Sequence, residues 1–223
     1  MSTIRGGAAA DLLGGLEESG PAVEMLADGA WILRKFAESE AAALVEAVRQ
    51  ISADAPFRNM VTPGGYRMSV AMTNSGLGWI TDRSGYRYGT ADPESRRPWP
   101  AMPALFLSLA ARAAAAAGFG GFTPDACLIN RYEPGARLSL HQDKDEHALE
   151  APIVSVSLGL PAAFLFGGLR RADRPRRFRL ENGDVAVWGG PARLAFHGIG
   201  PLADGDHPLT GRSRINLTFR KAL

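Results

Sequence analysis

The sequence has little of what secreted, membrane-spanning or disulfide-stabilised proteins contain. Its 223 residues include one cysteine, Cys127, so no internal disulfide can form and a reducing compartment is expected. No uninterrupted apolar run reaches the roughly 18 residues that a membrane-spanning helix needs. The N-terminal segment is broken by glycines and carries Asp11, Glu17 and Glu18, which is atypical of a signal peptide. These absences predict a cytoplasmic protein that does not enter a membrane.

Lysine is scarce as well, and the overall charge is small. Only three of the 25 basic residues are lysines, and the net charge is +2. Such a weak positive charge fits a nucleic-acid partner without requiring one. Cys127 lies in an apolar run, so we expect it to pack in the core rather than to act as a nucleophile.

The length of the chain is typical of one structural domain, within which three regions differ in composition. We expect a flexible tail over residues 1–24. An N-terminal extension is expected over residues 25–100, and a helix followed by a β-rich core over 101–223.

The N-terminal extension combines regular elements with a loop-rich segment. A strand over 29–36 is expected to precede a helix over 38–52, in which Leu44, Val45 and Val48 have helical spacing. Residues 56–100 are punctuated by Gly and Pro and rich in Met, Tyr, Trp and Arg. This composition predicts short strands and recognition loops rather than a core layer.

After a second predicted helix over 101–117, the pattern becomes strand after strand. About seven short segments rich in β-branched or aromatic residues are separated by turn signals. Asn182-Gly183 is the clearest of these signals and predicts a β-hairpin. The pattern predicts a mainly β, α+β protein, an antiparallel sandwich or barrel with the two helices covering one face.

The stretch LSLHQDKDE, residues 138–146, concentrates polar chemistry after an apolar lead-in. In an extended segment His141 and Asp143 point to one side, where they can supply two metal ligands. His197 is the leading candidate for the third ligand, which would complete a two-histidine, one-carboxylate set typical of Fe(II). His147 and His207 lie among polar residues and are weaker candidates. The alternative is an ordinary polar loop or hydrogen-bonded pair.

The C-terminal segment RINLTFR places polar residues on one face of a strand and apolar residues on the other. The polar face carries Arg214, Asn216, Thr218 and Arg220. Two arginines are expensive to bury without an anion, and a guanidinium fork can hold a carboxylate bidentately. The alternative is an edge strand whose polar face lies in water.

Several motifs together resemble one enzyme family. They are MVTPGGYRMSVAMTN, RPWPAMP, PDACLINRYEPGARLSLHQDKDE, APIVSVSLGLPA, FGGL, GDVAVWGGPARLAFHGI and HPLTGRSRINLTFR. Over roughly residues 25–221 the chain resembles the bacterial AlkB dealkylation dioxygenases, which depend on Fe(II) and 2-oxoglutarate. The resemblance implies a double-stranded β-helix, or jelly-roll, core with flanking helices and an N-terminal nucleotide-recognition lid.

The resemblance also implies the ligands of the iron and of the cosubstrate. His141, Asp143 and His197 would bind Fe(II). The positions that would hold or support 2-oxoglutarate are Asn130, Tyr132, Arg214, Asn216, Thr218 and Arg220. With O2, such an enzyme converts 2-oxoglutarate to succinate and CO2 while it hydroxylates an N-methyl group, which then leaves as formaldehyde.

Further positions would contact an extruded base and the nucleic-acid backbone. By resemblance these are Trp79, which would stack on the base opposite His141, with Tyr86, Thr62, Met72, Asp145 and Arg171. Asp145 would favour the cationic form of a methylated adenine or cytosine. Trp79 could instead anchor a hydrophobic cluster under the lid. The link between Asn74 and Trp79 is one residue shorter than the family pattern.

The expected partner is alkylated DNA, single-stranded by preference, with RNA as a second candidate, and a monomer is the default. Six arginines within residues 169–179 could track phosphates, although a charge run is often a solvated face. Two other functions remain open at this point. The same iron core could hydroxylate a small molecule or a protein, which would predict no nucleotide lid. A non-catalytic β-barrel would give no reason for His197 to meet His141 and Asp143.

Overall fold

A computed structural model of the chain describes residues 22–223. The predicted tail over residues 1–24 lies outside the described residues except at its end, where Val23 and Glu24 already belong to the first strand. The helices are α1 (Ala41–Asp54) and α2 (Ala104–Ala116). The strands are β1 (Val23–Ala27), β2 (Ala30–Leu33), β3 (Ala71–Gly76), β4 (Gly78–Asp82), β5 (Gly85–Gly89), β6 (Ala126–Tyr132), β7 (Leu138–His141), β8 (Ile153–Gly159), β9 (Ala162–Phe166), β10 (Arg176–Leu180), β11 (Val185–Trp188), β12 (His197–Ile199) and β13 (Arg214–Arg220).

The strands form two main sheets and a separate hairpin. The seven-stranded major sheet has the order β1-β2-β11-β8-β13-β6-β3, and the four-stranded minor sheet has the order β10-β9-β12-β7. Strands β4 and β5 pair with each other. Neighbouring strands within the sheets are antiparallel. This confirms the predicted mainly β jelly roll.

The two faces of the major sheet have different partners because side chains alternate along each strand. In β13, Ile215, Leu217 and Phe219 join the core cluster that includes apolar residues of α1 and α2. The helices therefore cover one face, as predicted. Cys127 is fully buried in this cluster, and burial raises the pKa of its thiol. Neither α1 nor α2, nor any other helix in the described part of the chain, is long and apolar enough to cross a membrane.

The opposite face of the major sheet packs against the minor sheet. Residues of β2, β8 and β11 share a second apolar cluster with Phe164 and Phe166 of β9 and Phe178 of β10. Toward the other end of the same face, polar side chains replace apolar ones and line a cavity between the sheets. The sandwich is therefore filled with apolar side chains at one end and left open for chemistry at the other.

The expectation that residues 56–100 form no core layer is wrong for β3. This strand pairs with β6 at the edge of the major sheet, and five of its six residues are buried. Its polar side chains are accommodated by hydrogen bonds, since Thr73 Oγ1 donates to Ala55 O at 2.7 Å and Ser75 Oγ to Ala101 O at 3.1 Å. Buried hydroxyls that find acceptors cost little, so a sequence without a β-branched apolar run can still form a buried strand.

The predicted hairpin at Asn182-Gly183 is also wrong. A turn is present, but β10 before it belongs to the minor sheet and β11 after it to the major sheet. Gly183 has φ +84°, and a Cβ there would lie 2.7 Å from Cα of Glu38. Gly183 N donates to Ser157 O, and its carbonyl accepts from Ala37 N. The turn is therefore shaped by contacts with the start of the α1 region, and it crosses between sheets.

Candidate metal centre and substrate cavity

His141, Asp143 and His197 meet at the edge of the minor sheet. His141 ends β7 and is directly paired with His197, which begins β12. Asp143 follows β7 and lies with one carboxylate oxygen 3.7 Å from His141 Nε2 and the other 3.7 Å from His197 Nε2. One potential ligand atom from each residue lies within 4.8 Å of the others. The three side chains can therefore share one metal ion.

Hydrogen bonds orient both imidazoles for metal binding. His141 Nδ1 lies 2.9 Å from the backbone oxygen of Ser139, and His197 Nδ1 lies 3.0 Å from that of Ala195. A carbonyl accepts only, so Nδ1 carries the proton and the lone pair of Nε2 faces Asp143. Burial and the neighbouring His141 lower the pKa of His197 to about 4, although Asp143 opposes the shift. The ring is therefore neutral near pH 7, as metal coordination requires.

Asp143 is held in its ionised form by a buried arginine. Burial alone would raise the pKa of its carboxyl, but Arg220 and the two histidines outweigh burial and lower it. Arg220 donates to Asp143 Oδ2 from Nε at 3.0 Å and from Nη2 at 2.8 Å. The guanidinium therefore fixes a carboxylate of the metal site, a contact that the strand pattern alone did not indicate.

Arg214, at the other end of β13, is buried without a carboxylate partner among the described residues. It is 1% exposed, its Nη2 donates to Ser157 Oγ at 2.9 Å, and its Nε and Nη1 have no acceptor in that part of the chain. Its guanidinium lies over the ring of Tyr132 at 5.0 Å, and burial lowers its pKa. A buried cation with free donors fits the carboxylate of a keto acid.

The wall between the two arginines is a hydrogen-bonded amide and hydroxyl network. Asn216 donates to Ser155 Oγ and to Val156 O, both at 2.9 Å, and its Oδ1 accepts from Thr218 Oγ1 and from Asn130 Nδ2. Because the amide of Asn216 is already bonded on both sides, this residue supports the wall. Asn130 and Tyr132 lie beside it on β6 and line the cavity.

The β4–β5 hairpin carries the predicted base-stacking residue. Trp79 stacks on Tyr86 with ring centroids 5.4 Å apart and an interplanar angle of 18°. Its Nε1 donates to Asp145 Oδ2 at 3.0 Å, two residues after Asp143. Asn74 closes the short link before the hairpin, since its amide exchanges hydrogen bonds with the backbone of Trp79. Two predicted substrate residues therefore contact each other beside the metal centre.

One cavity of about 770 Å³ brings all of these residues together. The predicted site residues that line it are Thr62, Met72, Trp79, Tyr86, Asn130, Tyr132, His141, Asp143, Asp145, Arg171, His197, Arg214, Asn216, Thr218 and Arg220. They come from both sheets, the hairpin and three loops. The residues that the resemblance assigned to metal, cosubstrate and substrate therefore line one cavity.

Comparison with known proteins bears directly on this site. Residues 29–220 match the profile of a family described as the 2OG-Fe(II) oxygenase superfamily. The chain is 60% identical over 206 residues to the alpha-ketoglutarate-dependent dioxygenase AlkB of Salmonella typhimurium. This match covers 92% of this chain and 95% of that protein. It is 62% identical over 203 residues to AlkB of Escherichia coli, covering 91% and 94% respectively. This chain belongs to the AlkB family of 2OG-Fe(II) oxygenases.

A solved structure of OsALKBH1 gives the same conclusion for the fold. It matches with a TM-score of 0.81 at 29% identity, and the match covers 90% of this chain and 100% of that one. The protein is therefore an Fe(II)- and 2-oxoglutarate-dependent dioxygenase, with O2 as the other cosubstrate. The arrangement of His141, Asp143 and His197 can hold one metal ion, and this set of ligands suits Fe(II).

The arginine cluster over 169–179 is less uniform than its sequence. Arg171 lines the cavity and donates to Leu140 O at 3.2 Å. Arg170 pairs with Asp173, Arg179 pairs with Glu181, and Arg176 donates to Leu26 O. Arg171 is thus the member of this cluster that reaches the site, and most of the others bind neighbouring protein groups.

Sequence reasoning missed a second layer around the metal centre. Glu146 and Arg193 are 5% and 4% exposed and form an ion pair at 3.1 Å, and Tyr88 Oη donates to Glu146 at 2.5 Å. Ser157 Oγ accepts a hydrogen bond from Arg214, at the opposite end of β13 from Arg220. No local pattern marks these residues, because their partners are 47 to 58 positions away in the chain.

Proposed function

We propose that this oxygenase removes alkyl groups oxidatively from the ring nitrogens of nucleic-acid bases, such as 1-methyladenine and 3-methylcytosine. DNA is the proposed main substrate and RNA a further one. Direct reversal repair of this kind releases formaldehyde and restores the original base. The motifs shared with the AlkB dioxygenases support this proposal, as does the arrangement of the cavity.

The observation that carries the proposal is that the metal triad and an aromatic pair share one cavity. Trp79 and Tyr86 lie on the hairpin at the mouth, and Tyr86 is 48% exposed. Enzymes that act on a base extrude it and hold it between flat side chains. An oxygenase for a small molecule has no need of such an aromatic lid, so the hairpin favours a nucleotide substrate.

Within this proposal His141, Asp143 and His197 hold Fe(II), and Arg214, Asn130 and Tyr132 hold 2-oxoglutarate. Bound iron supplies the oxidation, in which O2 and 2-oxoglutarate become succinate and CO2 while an N-methyl C–H bond is hydroxylated. Arg214 binds the carboxylate of the cosubstrate that lies away from the metal, because its Nε and Nη1 have no other acceptor within residues 22–223. Arg220 keeps Asp143 ionised and in place, and contacts the cosubstrate from the metal side.

The base is held between Trp79 and His141. Asp145 accepts the hydrogen bond of the Trp79 indole, so it fixes the stacking ring and also places a carboxylate beside the base. A nearby carboxylate stabilises a cationic base, which is the form that methylation at these ring nitrogens produces. The site is thereby expected to prefer positively charged lesions over neutral ones.

The cavity mouth would contact the nucleic-acid backbone. Thr62 and Tyr86 are proposed to bind phosphates on one side and Arg171 on the other, while Met72, buried on β3, forms part of the apolar wall. A single strand can present an extruded base without breaking base pairs, so we propose a preference for single-stranded substrates. We also propose a monomer that acts in the cytoplasm. Its recognition lid would belong to the region 25–100 and its catalytic core to 101–223.

The proposal is tested by incubating the purified protein with Fe(II), ascorbate, 2-oxoglutarate and a panel of N-methylated oligonucleotides. Single-stranded and duplex DNA and RNA, each with and without the methyl group, form matched pairs. Formaldehyde should be released in proportion to the methylated base that is restored. Decarboxylation of 2-oxoglutarate without formaldehyde from any oligonucleotide would leave the oxygenase intact and reject the proposed substrate.

A further inference from the structure

A buried ionic cluster lies behind the metal centre, and only Arg220 among its members has a role proposed above. Its members are Tyr88, Glu146, Arg193 and Arg220. The side chain of Glu146 is 2% exposed, that of Arg193 4% and that of Arg220 6%. Buried ion pairs of this kind often stabilise a fold no better than apolar residues of the same size would. Their presence here therefore points to a positional task.

Two arginines of the cluster bind Asp143, one at its carboxylate and the other at its backbone carbonyl. Arg220 binds the carboxylate at Oδ2, and Arg193 Nη1 donates to the backbone carbonyl of Asp143 at 2.7 Å. Both arginines share Glu146 as counter-ion, since Arg193 Nη2 lies 3.1 Å from Oε2 and Arg220 Nε lies 3.4 Å from Oε1. Glu146 therefore sets the position of the two groups that fix the metal-binding carboxylate.

The same glutamate also contacts the lid hairpin. Tyr88 Oη donates to Glu146 Oε1 at 2.5 Å, and Tyr88 is paired across the hairpin with Trp79, which bonds Asp145. Asp145 thus accepts a hydrogen bond from β4, and the adjacent Glu146 accepts one from β5. Burial raises the pKa of Tyr88, so its hydroxyl stays protonated and can donate.

We propose that Glu146 is a positioning residue for the metal-binding Asp143, and that Tyr88 makes the lid hairpin part of the same unit. Metal binding then steadies the hairpin, and seating of the hairpin favours metal binding to the same extent, because coupling between two sites is reciprocal. This inference rests on the metal ligands of the proposed function. It does not depend on which nucleic acid is the substrate.

The test measures binding of Co(II), a redox-stable substitute for Fe(II), in the presence of 2-oxoglutarate and without nucleic acid. Glu146→Gln removes the counter-charge of both arginines and should weaken Co(II) binding by about tenfold or more, as for other residues that support metal ligands. Glu150→Gln is the matched control, since Glu150 is exposed in the same loop and forms no ion pair within residues 22–223. Equal Co(II) affinity in Glu146→Gln and the wild type would overturn the positioning role.

Tyr88→Phe isolates the link to the lid, because it leaves every ion pair of Glu146 intact and changes Co(II) affinity less than about threefold. In the wild type, Co(II) with 2-oxoglutarate should slow amide hydrogen exchange over residues 78–89. Tyr88→Phe should lose this response, and Arg83→Gln, which alters an exposed side chain at the turn of the same hairpin, should keep it. Retention of the response in Tyr88→Phe would overturn the link.

Combining the two substitutions shows whether Tyr88 acts through Glu146. If it does, adding Tyr88→Phe to Glu146→Gln should cause no further loss of Co(II) affinity or of the exchange response. Additive losses would mean that Tyr88 acts independently. Both readouts, Co(II) affinity and amide hydrogen exchange, omit methylated substrate, so a failure of demethylation and a failure of this inference can be told apart.

Discussion

The two walls of the cavity are built very differently. All seven residues of β13 are buried, and this strand is paired along its length with β8 and β6. No residue of β5 is fully buried, and β4 and β5 pair with each other outside the two main sheets. Arg214 on β13 is 1% exposed, whereas Tyr86 on the hairpin is 48% exposed.

This difference separates the tasks of the two walls. Polar groups that must meet a metal and a small cosubstrate are held by paired strands and by hydrogen bonds among themselves, which leaves little freedom. A nucleotide must enter and leave, so the surface that grips it is expected to lie on the less stable element. The wall built on β13 should determine whether oxidation occurs at all, and the hairpin should determine which base is oxidised.

The largest effect should follow from removing His141, a proposed metal ligand at the edge of the minor sheet. His141→Ala should reduce formaldehyde release more than about a hundredfold, because even changes to residues behind metal ligands can cost that much. His147→Ala is the matched control, since His147 is exposed in the loop that follows. Full turnover of His141→Ala with added Fe(II) would contradict the assignment of this ligand.

A smaller effect should separate the two arginines of β13. Arg214→Lys removes the fork that has free donors and should raise the apparent KM for 2-oxoglutarate by about tenfold or more, since a hydrogen bond to a charged group contributes about 1.5–3 kcal/mol. Arg220→Lys also loses a fork, but that fork is bonded to Asp143, so metal affinity should fall together with cosubstrate affinity. Titrating 2-oxoglutarate and Fe(II) separately distinguishes the two.

On the hairpin, Trp79→Ala should impair base repair while leaving the oxidation machinery in place. Stacking on one base contributes about 1–3 kcal/mol, so kcat/KM for a methylated oligonucleotide should fall about tenfold, with decarboxylation of 2-oxoglutarate in the absence of DNA retained. Trp79→Phe keeps a stacking ring but loses the hydrogen bond to Asp145. Its kcat/KM should therefore lie between those of the wild type and Trp79→Ala. Equal loss of both activities in Trp79→Ala would indicate a structural role instead.

The smallest effect is expected from Arg171 at the cavity mouth. Arg171→Ala should weaken oligonucleotide binding only a few fold, about equally for all sequences, and should reduce the dependence of log affinity on log salt by about one. Arg212→Ala serves as the control, because Arg212 is exposed, pairs with Asp204 and does not line the cavity. An unchanged salt dependence in Arg171→Ala would remove Arg171 from the phosphate contacts.

The sequence by itself determined the features that depend on alternation along a strand. The faces of RINLTFR were predicted correctly, because side chains two apart point the same way in any paired strand. The same rule predicted that His141 and Asp143 point to one side, and His197 was the leading candidate for the third ligand. The direction of a side chain needs no knowledge of which strands are neighbours, whereas the meeting of His197 with His141 depends on the pairing of β12 with β7.

Only the tertiary structure decided the features that depend on distant partners. Strand β3 is buried because β6 pairs with it and backbone carbonyls accept from its hydroxyls, and Asn182-Gly183 joins two sheets because contacts around Ser157 and Ala37 shape the turn. Likewise, Glu146 becomes the centre of a buried cluster only when Tyr88 and Arg193 converge on it. Local sequence sets the direction of a side chain, but its hydrogen-bond and charge partners are fixed by which strands and loops pack together.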